Sequence, residues 1–136
     1  MAFIELPDNF IATNQPVHGP ALTAANVGAR YGILGTRIPV QATPAFLQAL
    51  AEMKITMTDQ NSQVLGQATG SAILDQPIHA LLWLIEDLNR SGAKLKPGDM
   101  ISLGGVLQVT PQPGQNITVT YTGLPGGSLR ALVRFD

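Results

Sequence analysis

The chain has 136 residues and a formal net charge of −1 at pH 7, and this length suits a single domain with a buried core. Hydrophobic residues make up 45% of the sequence and charged residues only 12%, which excludes a disordered chain and leaves no basic footprint for nucleic acid. A typical soluble domain is about 25% charged. We therefore expect a partner to cover part of this neutral surface, and another copy of the chain is the expected partner.

The first 40 residues are predicted to hold two short strands and one helix. Residues 3–6 form the first strand, and residues 9–20, which contain two prolines and a glycine, form a loop. The alanine-rich segment 22–31 favours a shorter helix. A second strand is predicted at residues 37–40, after Gly35 ends the helical segment.

A helix or turn at residues 44–52 leads into a predicted β-hairpin. In residues 53–58, methionine and isoleucine alternate with lysine and threonine, which is the period of a half-buried strand. The residues at 59–62 favour a turn, and residues 63–69 form the returning strand.

The clearest pattern predicts a long helix over residues 76–91. Asp75 is placed to cap this helix, and Pro77 is tolerated in its first turn. Apolar side chains recur at helical spacing and their neighbours widen the stripe: Leu81, Leu84, Ile85 and Leu88, then Ala80, Leu82 and Trp83. The helix is therefore expected to be buried on most sides, and Gly92 is expected to end it in a left-handed conformation.

Four further strands are predicted in the C-terminal part, at residues 100–103, 106–110, 116–122 and 129–135. In the last two, apolar residues occupy one face and polar residues the other. The predicted fold class is α+β, with a mostly antiparallel β core and one long buried helix. We expect residues 1–136 to form a single domain.

Other features indicate the compartment. There is no cysteine, which excludes disulfides, thiolate nucleophiles and cysteine metal sites. The first ten residues contain an early acid and no basic segment, unlike a signal peptide. The longest apolar run, at residues 80–85, is too short to span a bilayer. We therefore predict a cytoplasmic protein with no membrane or nucleic-acid partner.

Glu5 is an acid within the apolar first strand and has two interpretations. Hard cations prefer carboxylate oxygen, so Glu5 is a candidate metal ligand, but one carboxylate is not a metal site and a solvent-facing glutamate explains it as well. Asp8 either assists Glu5 or caps a turn. The two histidines, His18 and His79, lie in distant segments and are expected to be structural.

Several other polar or flexible positions are candidate substrate contacts. Asn26, among small residues, either orients a bound carboxylate or water or satisfies local backbone. The pair Gly104 and Gly105 either lets a ligand approach the backbone or forms a tight turn. Arg30 and Arg37 either clamp a carboxylate or lie exposed. The sequence contains no GxGxxG, P-loop, GxSxG or HExxH motif.

Four segments carry a resemblance to a known family. They are FIELPD at residues 3–8, AANVGARYGILG at 24–35, GQATGSAILDQPIHALLWLIEDL at 66–88, and LKPGDMISLGG at 95–105 with the segment 109–135 that follows. In this order they resemble the C-terminal portion of the 2-keto-4-pentenoate hydratases and 4-oxalocrotonate decarboxylases, within the fumarylacetoacetate hydrolase superfamily.

The resemblance implies a β roll and a site for Mg²⁺ or Mn²⁺. In the family, three carboxylates hold the metal: two come from a Glu-x-Glu strand and the third from the strand that Glu5 matches. The metal holds a 2-keto acid while water adds to a dienol. By this match Glu5 is the single remaining metal ligand, and Asn26, Gly104 and Gly105 are substrate-binding candidates, with Asn26 the candidate catalytic residue.

The chain also departs from the family pattern. It contains no Glu-x-Glu, and the family's upstream lysine and aspartate have no match. Ala24 and Ala25 stand at the family's Ser-Asp, Gln76 stands at its histidine, and the segment 105–108 has lost the hydroxyls of a Gly-Ser-x-Thr turn. Because Mg²⁺ requires near-octahedral oxygen ligation, one glutamate does not replace three, and we predict a poor hydratase.

Two hypotheses follow from the sequence. The chain is either a Mg-dependent hydro-lyase for 2-keto and 2-hydroxy-dienoic acids, completed by carboxylates from another chain, or a non-catalytic binding or assembly module. The second hypothesis describes a pseudoenzyme that keeps the scaffold, forms a homo-oligomer and uses no cofactor. The ancestry favours the first hypothesis, and the lost site residues favour the second.

Overall fold

The computed structural model describes residues 1–8 and 16–136, which form an α+β fold; residues 9–15, within the predicted loop 9–20, lie outside the described residues. The strands are β1 (Phe3–Leu6), β2 (Tyr31–Leu34), β3 (Lys54–Thr58), β4 (Val64–Thr69), β5 (Asn116–Thr122) and β6 (Leu129–Arg134). The α-helices are α1 (Gly19–Ala24), α2 (Pro44–Glu52) and α3 (Pro77–Arg90), and single 3₁₀ turns occupy Asn26–Gly28 and Gly70–Ala72. Among these residues no helix has the length and apolarity needed to cross a membrane.

Four strands form the main sheet in the order β4-β3-β5-β6, and every neighbouring pair is antiparallel. The strands β1 and β2 form a separate antiparallel pair. The two sheets meet just after β2, where the Thr36 amide donates to the Arg130 carbonyl of β6 over 2.9 Å. A Cβ added to Gly35 would lie 2.0 Å from the same carbonyl, so only glycine allows this close approach.

The core lies on one face of the main sheet, where alternate side chains of three strands are buried. The register places Met57 opposite Val119 and Ile117 opposite Val133, so apolar residues stack across the sheet. Full burial of each such side chain stabilises the fold by about 1.5–3 kcal/mol. The predicted hairpin at 53–69, the last two strands and the helix at 44–52 are confirmed.

The predicted helix over residues 22–31 is wrong in its position. The helix α1 begins earlier, at Gly19, where the His18 side chain accepts from the Ala21 amide over 3.2 Å. It ends by Ala24 because Asn26 and Val27 adopt φ angles of +50° and +55°, which an α-helix excludes. Tyr31, the last residue of the predicted helix, is the first residue of β2.

Three predicted strands, at 37–40, 100–103 and 106–110, are not strands in the structure. The partner of β1 is β2 instead, and Gly32 fits there because a Cβ would lie 2.5 Å from the Phe3 ring. The segment 106–110 contacts the rest of the fold through its side chains: Leu107 approaches Gly66 of β4, and Val106 and Val109 pack against the core.

The helix α3 is present where the sequence predicts it, but its N-cap residue and its degree of burial differ from the prediction. Asp75 lies at φ +64° outside the helix, and Gln76 occupies the N-cap position without a side-chain capping bond. Leu82 is 51% exposed and Trp83 is 59% exposed, because α2 and the turn Gly70–Ala72 cover only part of the apolar circumference. The left-handed Gly92 that follows the helix is confirmed, at φ +77°.

Candidate functional site

Glu5 lies in β1 opposite Gly32 of β2, and its side chain is exposed while Ile4 and Leu6 pack toward the core. The hydroxyl of Ser102 donates a hydrogen bond to Glu5 Oε1. The same hydroxyl accepts from the Gly104 amide over 3.5 Å, a distance at the upper limit for such a bond. The structure thus brings together two predicted site residues, Glu5 and Gly104, through Ser102, which lies 97 residues from Glu5 in the sequence.

The pair Gly104 and Gly105 leaves open space beside this carboxylate. A Cβ at either position would meet nothing within 4 Å, and Gly104 adopts φ +105°. Glycine is required at Gly104 by its backbone conformation and not by a contact with the rest of the chain. The geometry therefore agrees with a backbone that a small ligand can approach.

Tyr121 of β5 lies beneath the β1 strand, and its hydroxyl donates to the Phe3 carbonyl over 3.2 Å. Burial raises the pKa of Tyr121 above its ordinary value, and the negative charge of Glu5 raises the pKa further. Tyr121 therefore stays a neutral donor at physiological pH, and it anchors the strand that carries Glu5.

Asn26 lies in the 3₁₀ turn that precedes β2. Its turn is tied to the end of β1, since the Asp8 amide donates to the Gly28 carbonyl over 2.8 Å. Within the described residues the exposed Asn26 side chain makes no hydrogen bond to Glu5, Ser102 or Gly104. A non-glycine residue in the left-handed region costs about 1–3 kcal/mol, and such strain often accompanies a functional turn.

Most of the remaining charged candidates have local partners. Asp8 forms an ion pair with Arg30 over 3.2 Å, and the Arg30 guanidinium also lies 5.3 Å from the centroid of the Tyr31 ring. Arg37 is exposed in a segment without regular structure. His18 caps α1, and His79 Nδ1 lies 2.9 Å from the Leu74 carbonyl. These contacts place Asp8 and both histidines in local structural roles.

The described residues do not fit a resident divalent cation by themselves. Across residues 1–8 and 16–136, no three acids or histidines lie close enough together to hold a metal ion. At Glu5 the available oxygen ligands are one carboxylate and the Ser102 hydroxyl. Mg²⁺ requires near-octahedral oxygen ligation and is usually held through carboxylates and waters, so this site needs carboxylates from outside the described residues.

Sequence reasoning missed Ser102. The sequence signal was a serine between Ile101 and Leu103; in the structure Met100, Ser102 and Gly104 are exposed, while Ile101 and Leu103 are half-buried. The alternation identifies a polar side chain on the open face of an extended segment. It does not identify the partner, because Glu5 reaches Ser102 only through the tertiary fold.

Comparisons with known proteins identify relatives of this chain. No family model matches the chain. A 2-keto-4-pentenoate hydratase of Paraburkholderia phymatum is 33% identical over 110 residues, which are 79% of this chain and 39% of that protein. A 4-oxalocrotonate decarboxylase of Pseudomonas sp. (strain CF600) is 34% identical over 73 residues, which are 53% of this chain and 28% of that protein.

A solved structure shows the same fold. It is a 4-oxalocrotonate decarboxylase from Pseudomonas putida G7, complexed with calcium and acetate, and it matches with a TM-score of 0.70 at 28% identity. The match covers 85% of this chain and 42% of that chain. The sequence and structural matches define a class of proteins that contains both hydratases and decarboxylases.

This chain is a homologue, over part of their length, of the 2-keto-4-pentenoate hydratases and 4-oxalocrotonate decarboxylases. The resemblance predicted from its four sequence segments is confirmed. The chain spans 28% to 42% of the length of the three relatives described.

Proposed function

We propose that this chain contributes Glu5, as one metal-ligating carboxylate, to the site of a 2-keto-4-pentenoate hydratase-type hydro-lyase. The observation that carries the proposal is the Ser102 hydrogen bond, which holds an exposed acid in one orientation beside open backbone. An exposed glutamate on an edge strand has no structural need for such a bond. Preorganised acids of this kind are typical of sites that bind a ligand.

The substrate class follows from the family. Of the two relatives compared by sequence, the hydratase matches the larger share of this chain, and its name identifies a 2-keto acid with a carbon–carbon double bond. The proposed reaction is addition of water across that double bond in the 2-hydroxy-dienoate form. In this chain the open backbone at Gly104 and Gly105 would admit the substrate, and the exposed Asn26 amide would orient its carboxylate.

The described residues alone do not complete this site. One carboxylate and one hydroxyl leave most of the oxygen positions of Mg²⁺ or Mn²⁺ unfilled. The proposal therefore includes further carboxylates from a polypeptide outside the described residues. It also includes the β roll of the family as the complete architecture, to which the two joined sheets seen here would contribute.

The test is turnover of 2-hydroxypenta-2,4-dienoate with Mg²⁺, by this chain alone and together with the part of a hydratase that lies outside the match. We expect no turnover by the chain alone. In the completed enzyme we expect Glu5→Gln to reduce kcat/KM at least a hundredfold. The matched control is Glu52→Gln, which removes an exposed acid at the end of α2 and should leave kcat/KM unchanged. Equal activity of both variants would contradict the assignment of Glu5.

A second candidate function is a non-catalytic module on the same scaffold. The observation that favours it is that the described part of the chain holds no group of three acids or histidines. This pseudoenzyme hypothesis predicts that the completed assembly has no metal-dependent turnover and tolerates Glu5→Gln. Mg²⁺-dependent turnover that Glu5→Gln removes would reject it.

A further inference from the structure

The chain exposes far more surface than a compact protein of its mass. Its accessible surface is 9319 Å² for 14.4 kDa. A compact monomer of this mass exposes about 6,800 Å², which leaves an excess of about 2,500 Å². A standard protein interface buries roughly 800 Å² on each partner, so the excess on this one chain is about three times that area and is large enough for an obligate interface.

Part of this excess is a continuous apolar surface between α2 and α3. A groove with a volume of about 370 Å³ is lined by the segment 40–43, by α2 and by Ile78 at the start of α3. Its lining, which includes Val40 and Leu47, exposes mainly apolar surface and contains no charged residue. Ile78, Leu82 and Ile85 stand at i, i+4 and i+7 on α3, so the apolar surface continues from the groove along the helix. We call these five residues the α2–α3 apolar surface.

The chemistry of the α2–α3 apolar surface indicates the class of its occupant. Val40, Leu47, Leu82 and Ile85 are all exposed, and no charge in the groove lining offers a contact to a polar metabolite. Burying the exposed part of these side chains would favour association through the hydrophobic effect. Such a surface is typical of an interface with an apolar polypeptide segment.

We propose that the α2–α3 apolar surface docks a polypeptide equivalent to the part of a 2-keto-4-pentenoate hydratase that this chain does not span. In the decarboxylase structure the same fold occupies only 42% of the chain, so a larger body of polypeptide accompanies it there. The proposal rests on the proposed function, which requires carboxylates from outside the described residues. One polypeptide would then supply both the apolar cover and the missing ligands.

A second copy of this chain meets only one of these two requirements. It would cover the apolar surface, but it would bring the same described acids, and these hold no group of three in residues 1–8 and 16–136. The homo-oligomer expected from the composition is therefore the competing occupant, and the experiment below separates the two.

The experiment co-expresses the full 136-residue chain with a tagged fragment of the Paraburkholderia phymatum hydratase. The fragment contains the residues of that protein outside its 110-residue match. Size-exclusion chromatography with light scattering, without metal, should show a 1:1 complex. Leu82→Glu should weaken the complex at least tenfold, as measured by titration of the two purified parts.

The matched control is Leu132→Glu. Leu132 is 48% exposed, close to the 51% of Leu82, but it lies on the face of the main sheet opposite the core. This variant should bind like the wild type. Circular dichroism and the thermal midpoint verify that both variants fold, and Leu82→Ser provides a milder second substitution at the same position.

Several results would overturn the proposal. One is a homodimer of the chain that Leu82→Glu dissociates. Others are a fragment that is soluble but does not bind the chain, and a fragment that stays insoluble even when it is co-expressed with the chain. Equal weakening of the complex by Leu82→Glu and Leu132→Glu would also overturn it. Because binding is measured without metal, its failure is distinct from failure of the proposed function. A 1:1 complex without Glu5-dependent turnover would leave the docking intact and reject the role of Glu5.

Discussion

The main sheet and the helix α3 both carry apolar faces, but the face of the sheet is buried whereas much of the apolar surface of α3 is exposed. Ile55 and Ile117 of the sheet are each only 3% exposed, whereas Leu82 and Trp83 of α3 remain more than half exposed. Side chains of this chain cover the apolar face of the sheet, but they cover only part of the apolar surface of α3. The comparison teaches that an apolar pattern predicts which surface is buried in the functional state. It does not predict whether the same chain or another polypeptide buries that surface.

The largest effect is expected from substitutions that compare these two regions directly. Ile117→Ala should lower the free energy of unfolding of the chain by about 2–5 kcal/mol, because it leaves a cavity in the core. Leu82→Ala should lower it by less than about 0.5 kcal/mol, because an exposed side chain loses few contacts. Urea unfolding followed by circular dichroism measures both. Similar losses for the two variants would show that α3 is covered in the isolated chain.

A smaller effect is expected at the junction between the two sheets. Gly35→Ala should lower the free energy of unfolding by about 1–3 kcal/mol, since the added methyl group overlaps the Arg130 carbonyl. The matched control is Gly105→Ala, where an added Cβ meets nothing within 4 Å. It should change the stability by no more than about 0.5 kcal/mol. If Gly35→Ala left the free energy of unfolding unchanged, the β1–β2 pair would not be joined to the main sheet as described.

A still smaller effect on stability is expected from Ser102→Ala. Loss of one exposed hydrogen bond to Glu5 should cost no more than about 1 kcal/mol in thermal or urea unfolding. In the completed enzyme the same variant should lower kcat more than it raises KM, because Glu5 loses its orientation. A Ser102→Thr variant keeps the hydroxyl and should recover part of kcat. Unchanged kcat in Ser102→Ala would separate Ser102 from the site.

The smallest effect concerns pH. The pKa of Tyr121 is raised in the folded chain, first by burial and then by the charge of Glu5. The folded state therefore favours the neutral phenol. The resulting stabilisation is fully present below the unfolded pKa of about 10 and is lost as the pH rises through the folded value.

The Tyr31→Phe variant isolates this titration, because the chain contains two tyrosines. The ultraviolet absorbance change of the remaining phenol should be centred above pH 10 in the folded state and should shift downward in urea. The same midpoint in both states would contradict the buried position of Tyr121 beside β1.

The elements predicted correctly from the sequence depend on local interactions. The hairpin at 53–69 combines a period of two with Asp59, whose carboxylate accepts from the Asn61 and Gln63 amides over 2.8 Å. The strands β5 and β6 show the same alternation, and α2 begins after Thr43, which caps the Phe46 amide over 3.2 Å. Each signal lies within a few residues of the element that it predicts.

The elements predicted wrongly depend on contacts across the fold. The segment 22–31 has alanine-rich helical propensity, but Tyr31 and the residues after it pair with β1 instead. Asp75 had suitable chemistry for a cap, yet its backbone lies at φ +64°, outside the geometry of an N-cap. The extended segments after α3 were recognised as apolar, but within the described residues they pair with no strand.

The candidate site was predicted in part. Glu5 and Gly104 were selected from the sequence, and the structure connects them through Ser102. The connection could not be predicted, because it joins two segments that are far apart in the chain. The role of Asn26 stays a prediction, since within the described residues its side chain has no hydrogen bond to the other candidates.

Titration of Mn²⁺ into the isolated chain and into the completed complex, followed by calorimetry, tests the central claim most directly. We expect the isolated chain to bind with a Kd of about 1 mM or weaker, since one carboxylate is available. The complex should bind at least a hundredfold more tightly, and Glu5→Gln should remove most of that gain while Glu52→Gln keeps it. Tight binding by the isolated chain, or a complex in which Glu5→Gln binds like the wild type, would contradict the account.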